Sequence, residues 1–139
     1  MRFSGRVFKS GKYWAVEVPI LDVVTQGETK IEAYEMIADA IEILVNKNGF
    51  EIDVFPGKGD YFEISSSDVP ALTAFLLKRQ RSKQGLTLSD VAQRLGAKSL
   101  NAYARYEQGR SVPTVEKFSQ LLAALSPESD FVLRESCQQ

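Results

Sequence analysis

The chain is 139 residues long, 44% hydrophobic and 25% charged, with a formal net charge of −1, one cysteine and no histidine, a length that supports a sizeable core in one domain or two small ones. Without histidine it lacks the usual general base near neutral pH and the commonest zinc ligand, and a lone cysteine makes neither an internal disulfide nor a thiolate metal site. No apolar run approaches the roughly 20 residues that span a bilayer, and the first residues lack the apolar middle of a signal peptide, so a cytoplasmic protein with no membrane partner is expected.

In chain order, "RFSGRVF" and "YWAVEV" are rich in β-branched and aromatic residues and flank "KSGK", which predicts two antiparallel strands joined by a hairpin turn. After Pro19 a third strand is expected in "LDVVTQG". The period then lengthens: Ile31, Tyr34, Ala38, Ile41 and Val45 recur at three and four, predicting a helix over 29–47 with one apolar stripe. Thr29 followed by Glu32 fits a capping box at its start. "FEIDVFP" and "DYFEIS" return the chain to strands, giving the order β-β-β-α-β-β, a small sheet with a helix on one face.

From about Val69 the pattern is helix upon helix: "PALTAFLLKRQRSK", "LSDVAQRL", "LNAYARYE" and "TVEKFSQLLAAL", punctuated by Gly85, Gly96, Gly109 and Pro113. Short connections predict a compact bundle, so the fold class is α+β, a small sheet domain followed by an all-α unit. Thr87 with Asp90 makes a second capping box, Gly96 ends that helix, and Ser99 caps the next, in which Tyr103 and Tyr106 point inward. Leu100, Asn101 and Arg105 then lie on its outward face, the geometry by which a helix-turn-helix offers side chains to the major groove. Asparagine pairs with adenine, arginine with guanine, and leucine meets a thymine methyl. The structural alternative for these polar positions is a solvated helix face.

Charge divides along the same line. Residues 1–68 carry seven Lys or Arg against twelve acids, a balance of −5, and the remainder ten against six, a balance of +4. Between 78 and 110, Lys78, Arg79, Arg81, Lys83, Arg94, Lys98 and Arg110 face only Asp90 and Glu107, a local excess that attracts phosphates although the whole chain is slightly acidic. We divide the chain into a first domain at 1–66, a second at 67–130 and a polar tail at 131–139, where Cys137 reads as a surface thiol.

Two resemblances follow from these residues. "GLTLSDVAQRLG", "NAYARYEQGRSVPTVEKFSQLLAAL" and the "YEQGR.VPT" continuation resemble the phage-repressor, Xre or Cro/CI-like, helix-turn-helix over roughly residues 72–126. The resemblance implies that Leu100, Asn101 and Arg105 read bases, while Thr87, Ser89, Ser99 and Arg110, with Lys98 beside them, lie near phosphates. Leu88 stands where the family often has a phosphate-binding glutamine, and the turn at Ala97 and Lys98 is one residue longer than the commonest.

The first half is similar to the N-terminal domain of HicB antitoxins through Tyr13, Val16, Val18, Pro19, Leu21, Thr25, Gln26, Gly27, Thr29, Glu32, Ala33 and Ala40. That resemblance implies a degenerate ribonuclease-H-like sheet that binds and blocks a small basic HicA-like toxin, an mRNA-cleaving ribonuclease, and a DNA-binding half that represses the toxin–antitoxin operon at its own operator. Two half-sites require at least a homodimer, and many members of the family are homotetramers. No cofactor and no catalysis are expected: Glu17, Asp22, Asp53 and Glu63 are scattered acids, and their spacing singles out no shared metal site. Glu32, Glu35, Asp39 and Glu42 form a negative stripe that suits a basic partner, with an ordinary solvated face as the alternative. Tyr13, Trp14 and Tyr61 read either as anchors for that partner or as core. A second functional reading keeps DNA binding and makes the first domain a sensor of a small ligand; a metal-dependent nuclease is the third.

Overall fold

A computed structural model describes residues 1–97 and 99–136. Strands β1 (Phe3–Ser10), β2 (Tyr13–Val18) and β3 (Val23–Gly27) precede helix α1 (Lys30–Val45), and β4 (Asp53–Pro56) and β5 (Tyr61–Ser65) follow it. All five strands lie in one antiparallel sheet in the order β3-β2-β1-β5-β4. Then come α2 (Val69–Lys83), α3 (Leu88–Arg94), α4 (Leu100–Glu107) and α5 (Val115–Leu125). The α+β architecture matches the expectation, with two local differences in the strands. Pro19–Leu21 forms a single 3-10 turn and Asp22 is left-handed, so β3 starts at Val23 rather than Leu21. Phe50 and Ile52 are buried ahead of β4, which starts only at Asp53.

The sheet has one covered and one open face. Alternation turns Phe3, Val7, Val16, Val18, Phe62 and Ile64 toward α1, all buried. Against them α1 sets Ala33, Ile37 and Ile41, each with no exposed surface, and the ring of Tyr34 meets that of Phe62 edge-on at 5.4 Å. Burying each isoleucine contributes about 1.5–3 kcal/mol. Ile31, expected on this stripe, is 72% exposed instead. The cause is the close approach of β3 to the helix: a Cβ added to Gly27 would stand 2.5 Å from the Ala33 nitrogen, so Ala33, not Ile31, is the residue turned to the sheet. The Thr29 cap is half a capping box, because its Oγ1 accepts from the Glu32 N–H at 3.0 Å while no bond returns from the Glu32 side chain among the described residues.

The helical half is packed on the sheet half, not hung from it. A continuous core runs from Val7 and Leu21 through Leu72, Phe75, Leu76 and Leu77 of α2 to Val91, Tyr103, Leu121 and Leu125. Polar contacts reinforce it: the Arg79 guanidinium donates to the carbonyls of Leu21, at 2.9 Å, and Asp22. The buried Gln80 amide donates to the Ile20 carbonyl at 2.7 Å, and its oxygen accepts from the Ser126 hydroxyl at 2.9 Å. No helix among the described residues is long and apolar enough to cross a membrane.

Candidate nucleic-acid interface

Helix α3 begins at a complete capping box. The Asp90 N–H donates to Thr87 Oγ1 at 3.0 Å, and the Thr87 N–H donates to Asp90 Oδ2 at 2.8 Å; these bonds, the backbone one foremost, hold the Asp90 carboxyl below the usual carboxylate range. Val91 and Ala92 turn inward, and the helix stops at Arg94 with Leu95, half-buried, as its C-cap. Gly96 takes φ +64°, which a side chain would oppose, and lets the Ala97 N–H reach back to the Ala92 carbonyl at 2.9 Å. Ser99 then caps α4, its Oγ accepting from the Asn101 N–H at 3.2 Å.

Beneath α4 lies a polar clamp that no local sequence pattern announces. Glu107 Oε1 accepts from Arg81 Nε at 2.7 Å and from the Tyr103 hydroxyl at 3.0 Å, and Arg81 also donates to the Leu86 carbonyl at 2.9 Å. The Glu107 side chain is 7% exposed. Its hydrogen bond keeps the Arg81 guanidinium firmly charged, and burial, with Glu107 beside it, pushes the Tyr103 phenol far above its ordinary range. The two ends of the clamp, 26 positions apart in sequence, fix α4 to α2.

The clamp leaves the other face of α4 to solvent. Leu100 is 45% exposed, and Asn101 and Arg105, one turn apart, are exposed. All three lie on the N-terminal two turns of α4. Thr87 and Ser89 are exposed at the start of α3 and Ser99 at the start of α4, while Arg110 is exposed just past α4, its N–H held by the Arg105 carbonyl at 3.0 Å. Lys98 lies outside the described residues. The basic excess of this segment is smaller in effect than its count: Arg79 and Arg81 are committed inside the molecule, and Arg94 donates to the Ala124 carbonyl at 2.9 Å. Lys78, Lys83, Arg105 and Arg110 stay exposed.

The acids singled out in the first half are distributed unevenly. On α1, Glu35 and Asp39 are exposed, Glu32 and Glu42 half-buried, and Glu42 Oε2 accepts from the Ile52 N–H at 3.0 Å, which ties the start of β4 to the helix. Glu17 faces Arg6 at 3.9 Å and Asp22 faces Arg79 at 3.8 Å, whereas Glu63 is buried between Arg2 and Arg134. Among the described residues no group of three or more His, Cys, Asp or Glu side chains is arranged to hold a metal ion. Tyr13 is 44% exposed on the open face of the sheet, while Trp14 and Tyr61 are half-buried.

Two short helices set by a capping box, a left-handed glycine and a serine cap, with the second offering an exposed polar face, define a helix-turn-helix DNA-binding unit. A family model described as "Helix-turn-helix" matches residues 77–126, from the second half of α2 to the end of α5, and this part of the chain is the DNA-binding unit of a transcription regulator. No curated protein matches the chain.

Proposed function

We propose that the chain is a HicB-type antitoxin: the sheet unit, a degenerate ribonuclease-H-like domain, binds and occludes a basic HicA-like mRNA-cleaving toxin, and the helix-turn-helix represses the shared operon. In this reading the chain is not an enzyme, needs no cofactor, acts in the cytoplasm and works as a homodimer or homotetramer. Base reading falls to Leu100, Asn101 and Arg105, and phosphate contacts to Thr87, Ser89, Ser99, Arg110 and Lys98.

The observation that carries the proposal is the junction of β3 and α1. The similarity to HicB runs through Thr25, Gln26, Gly27, Thr29, Glu32 and Ala33, and the structure gives several of these a physical job at one place. Gly27 has no room for a Cβ against Ala33, Ala33 is fully buried, and Thr29 caps the helix. A motif that builds such a junction supports a shared domain rather than a chance run of letters. The exposed Glu35 and Asp39, flanked on the stripe by Glu32 and Glu42, supply charge complementary to a basic toxin.

Coexpression tests it: the toxin encoded beside this chain should copurify with it, and its RNA cleavage should cease in the complex. A chain that neither binds such a toxin nor relieves its toxicity refutes the reading. Equal toxin affinity after charge reversal of Glu32, Glu35, Asp39 and Glu42 removes the stripe from the interface; Glu35 and Asp39 alone form the cleaner pair, since Glu42 also holds Ile52. A cleft of about 370 Å³ between α1, α2 and the end of α4, lined among others by Asn46, Lys47, Phe75, Lys78 and Gln108, favours a second reading, a one-component regulator sensing a small ligand. Its Lys47 is already bound to Asp68 at 2.6 Å, which leaves Lys78 as the available cation among the described residues that line the cleft. Operator affinity that responds to a metabolite extract in the absence of any protein partner would favour it.

A further inference from the structure

After α5 the chain returns to the sheet. Ser126 is buried on Gln80, Phe131 packs on the core, and Arg134 and Ser136 reach Glu63 of β5. Glu63 pairs across the sheet with Ser4 and Phe55, placing it on the open face, yet it is only 6% exposed. Its carboxylate accepts from the Tyr61 hydroxyl at 2.6 Å and Arg2 at 3.3 Å within the sheet, and from Arg134 at 3.0 Å and the Ser136 hydroxyl in the strap. Half of the donors that make this burial tolerable therefore arrive from the C-terminal segment. The Arg134 guanidinium also lies over the Tyr61 ring, 5.1 Å from its centre.

The strap is seated lightly. Among the described residues Phe131–Ser136 makes no backbone hydrogen bond, so no ladder holds it. Val132 and Leu133 are 86% and 97% exposed and bury almost nothing, and the Arg134 side chain is 56% exposed, a setting in which an ion pair contributes little. Beyond the strap the same face continues uncovered through Tyr13 and Val24, 44% and 68% exposed. The seat thus accepts a guanidinium with a neighbouring hydroxyl on an extended segment, and the exposed Tyr13 and Val24 lie farther along the same face, past the Arg6–Glu17 pair.

We propose that the end of the strap, Arg134–Ser136, is a self-supplied occupant of the Glu63 seat on the open sheet face, released when an arginine-bearing extended segment of a basic protein partner places its own guanidinium on Glu63. The identity of that partner as the toxin rests on the antitoxin reading; the exchange at Glu63 does not. The acidic balance of residues 1–68 favours a basic partner over an acidic one.

The test has two arms, both on the full chain. In the first, a labelled peptide with the sequence of residues 131–136 is titrated by fluorescence anisotropy. Arg134→Ala/Ser136→Ala, which empties the seat, binds it about tenfold more tightly than the parent, the factor expected when one molecule in ten has the strap open. Adding Glu63→Gln abolishes that binding. Peptide binding equal in all three proteins, or indifferent to Glu63, overturns the proposal. In the second arm a catalytically inactive toxin replaces the peptide, and the emptied variant again binds about tenfold more tightly. A toxin that binds parent and variant equally overturns the proposal and leaves the antitoxin reading intact. A toxin that binds neither, with the peptide arm as expected, refutes the antitoxin reading and leaves the exchange at Glu63 standing.

Discussion

Replacing Arg81 by methionine probes how the recognition helix is held. The substitution keeps the aliphatic stem and removes two bonds, to Glu107 at 2.7 Å and to the Leu86 carbonyl at 2.9 Å, leaving the Glu107 side chain, among the described residues, with the Tyr103 hydroxyl alone. Breaking a fully buried pair costs about 3–5 kcal/mol. Arg81 and Glu107 are 18% and 7% exposed, so water relieves part of the loss and about 2–4 kcal/mol is the expected cost. For a chain of this size that lowers Tm by roughly 6–12 °C. The neutral double variant Arg81→Met/Glu107→Gln no longer buries an unpaired charge and recovers about half of the loss. Urea and thermal unfolding measure the stabilities, and fluorescence anisotropy with operator DNA, at a temperature where every variant is folded, measures whether α4 has shifted. An Arg81→Met cost under about 0.5 kcal/mol, within the range of ordinary surface changes, would refute the clamp. Additive losses in the double variant would show that the two side chains act separately.

Three further outcomes are expected. Asn101→Ala or Arg105→Ala costs roughly 1–3 kcal/mol of operator binding and relaxes specificity at one base pair, whereas Arg110→Ala weakens all sequences and lowers the salt slope by about one, as read by anisotropy across a salt series. Gly27→Ala drives a Cβ to 2.5 Å from the Ala33 nitrogen and destabilises the sheet unit by about 1–3 kcal/mol, measured by urea unfolding. Asp68, held low first by its hydrogen bond from Lys47 and then by the Ala71 N–H, and Asp90, held low by Thr87, titrate below their unfolded values. Their stabilisation is complete above the unfolded aspartate value of about 3.9 and is lost as pH falls from there through the depressed folded values, so urea midpoints drop on that limb and Asp68→Asn flattens the drop.

What could be read from the letters was what neighbouring letters decide. The caps at Thr87 and Ser99 and the stop at Gly96 depend on groups within three or four residues, and each stands where the spacing put it. The two strands around "KSGK" are similarly local. The phase of α1 was misjudged at Ile31 because the inward side of a helix is chosen by the surface it meets, and that surface is Gly27 against Ala33. The Arg81–Glu107 clamp and the grip of Arg134 on Glu63, the latter spanning 71 positions, join residues with no periodic relation. Such pairs exist only once the chain has closed, so charge counts overstated the cations free for DNA. The outward set of Leu100, Asn101 and Arg105 was legible because both caps and the buried Tyr103 fix the rotation of an eight-residue helix.

Gln80 bonds the Ile20 carbonyl on one side and the Ser126 hydroxyl on the other, with Arg79 on Leu21 beside it, so α2 is a beam common to both units. A reader bolted to its sheet behaves as one jaw of a caliper. Copies that join through their sheets set their recognition helices at one separation and one phase, and an operator whose half-sites are moved apart by about 5 base pairs, half a helical turn, presents its second groove on the far side of the duplex. In a homodimer joined in that way, operator spacing would be set by the N-terminal unit and not by the recognition helix.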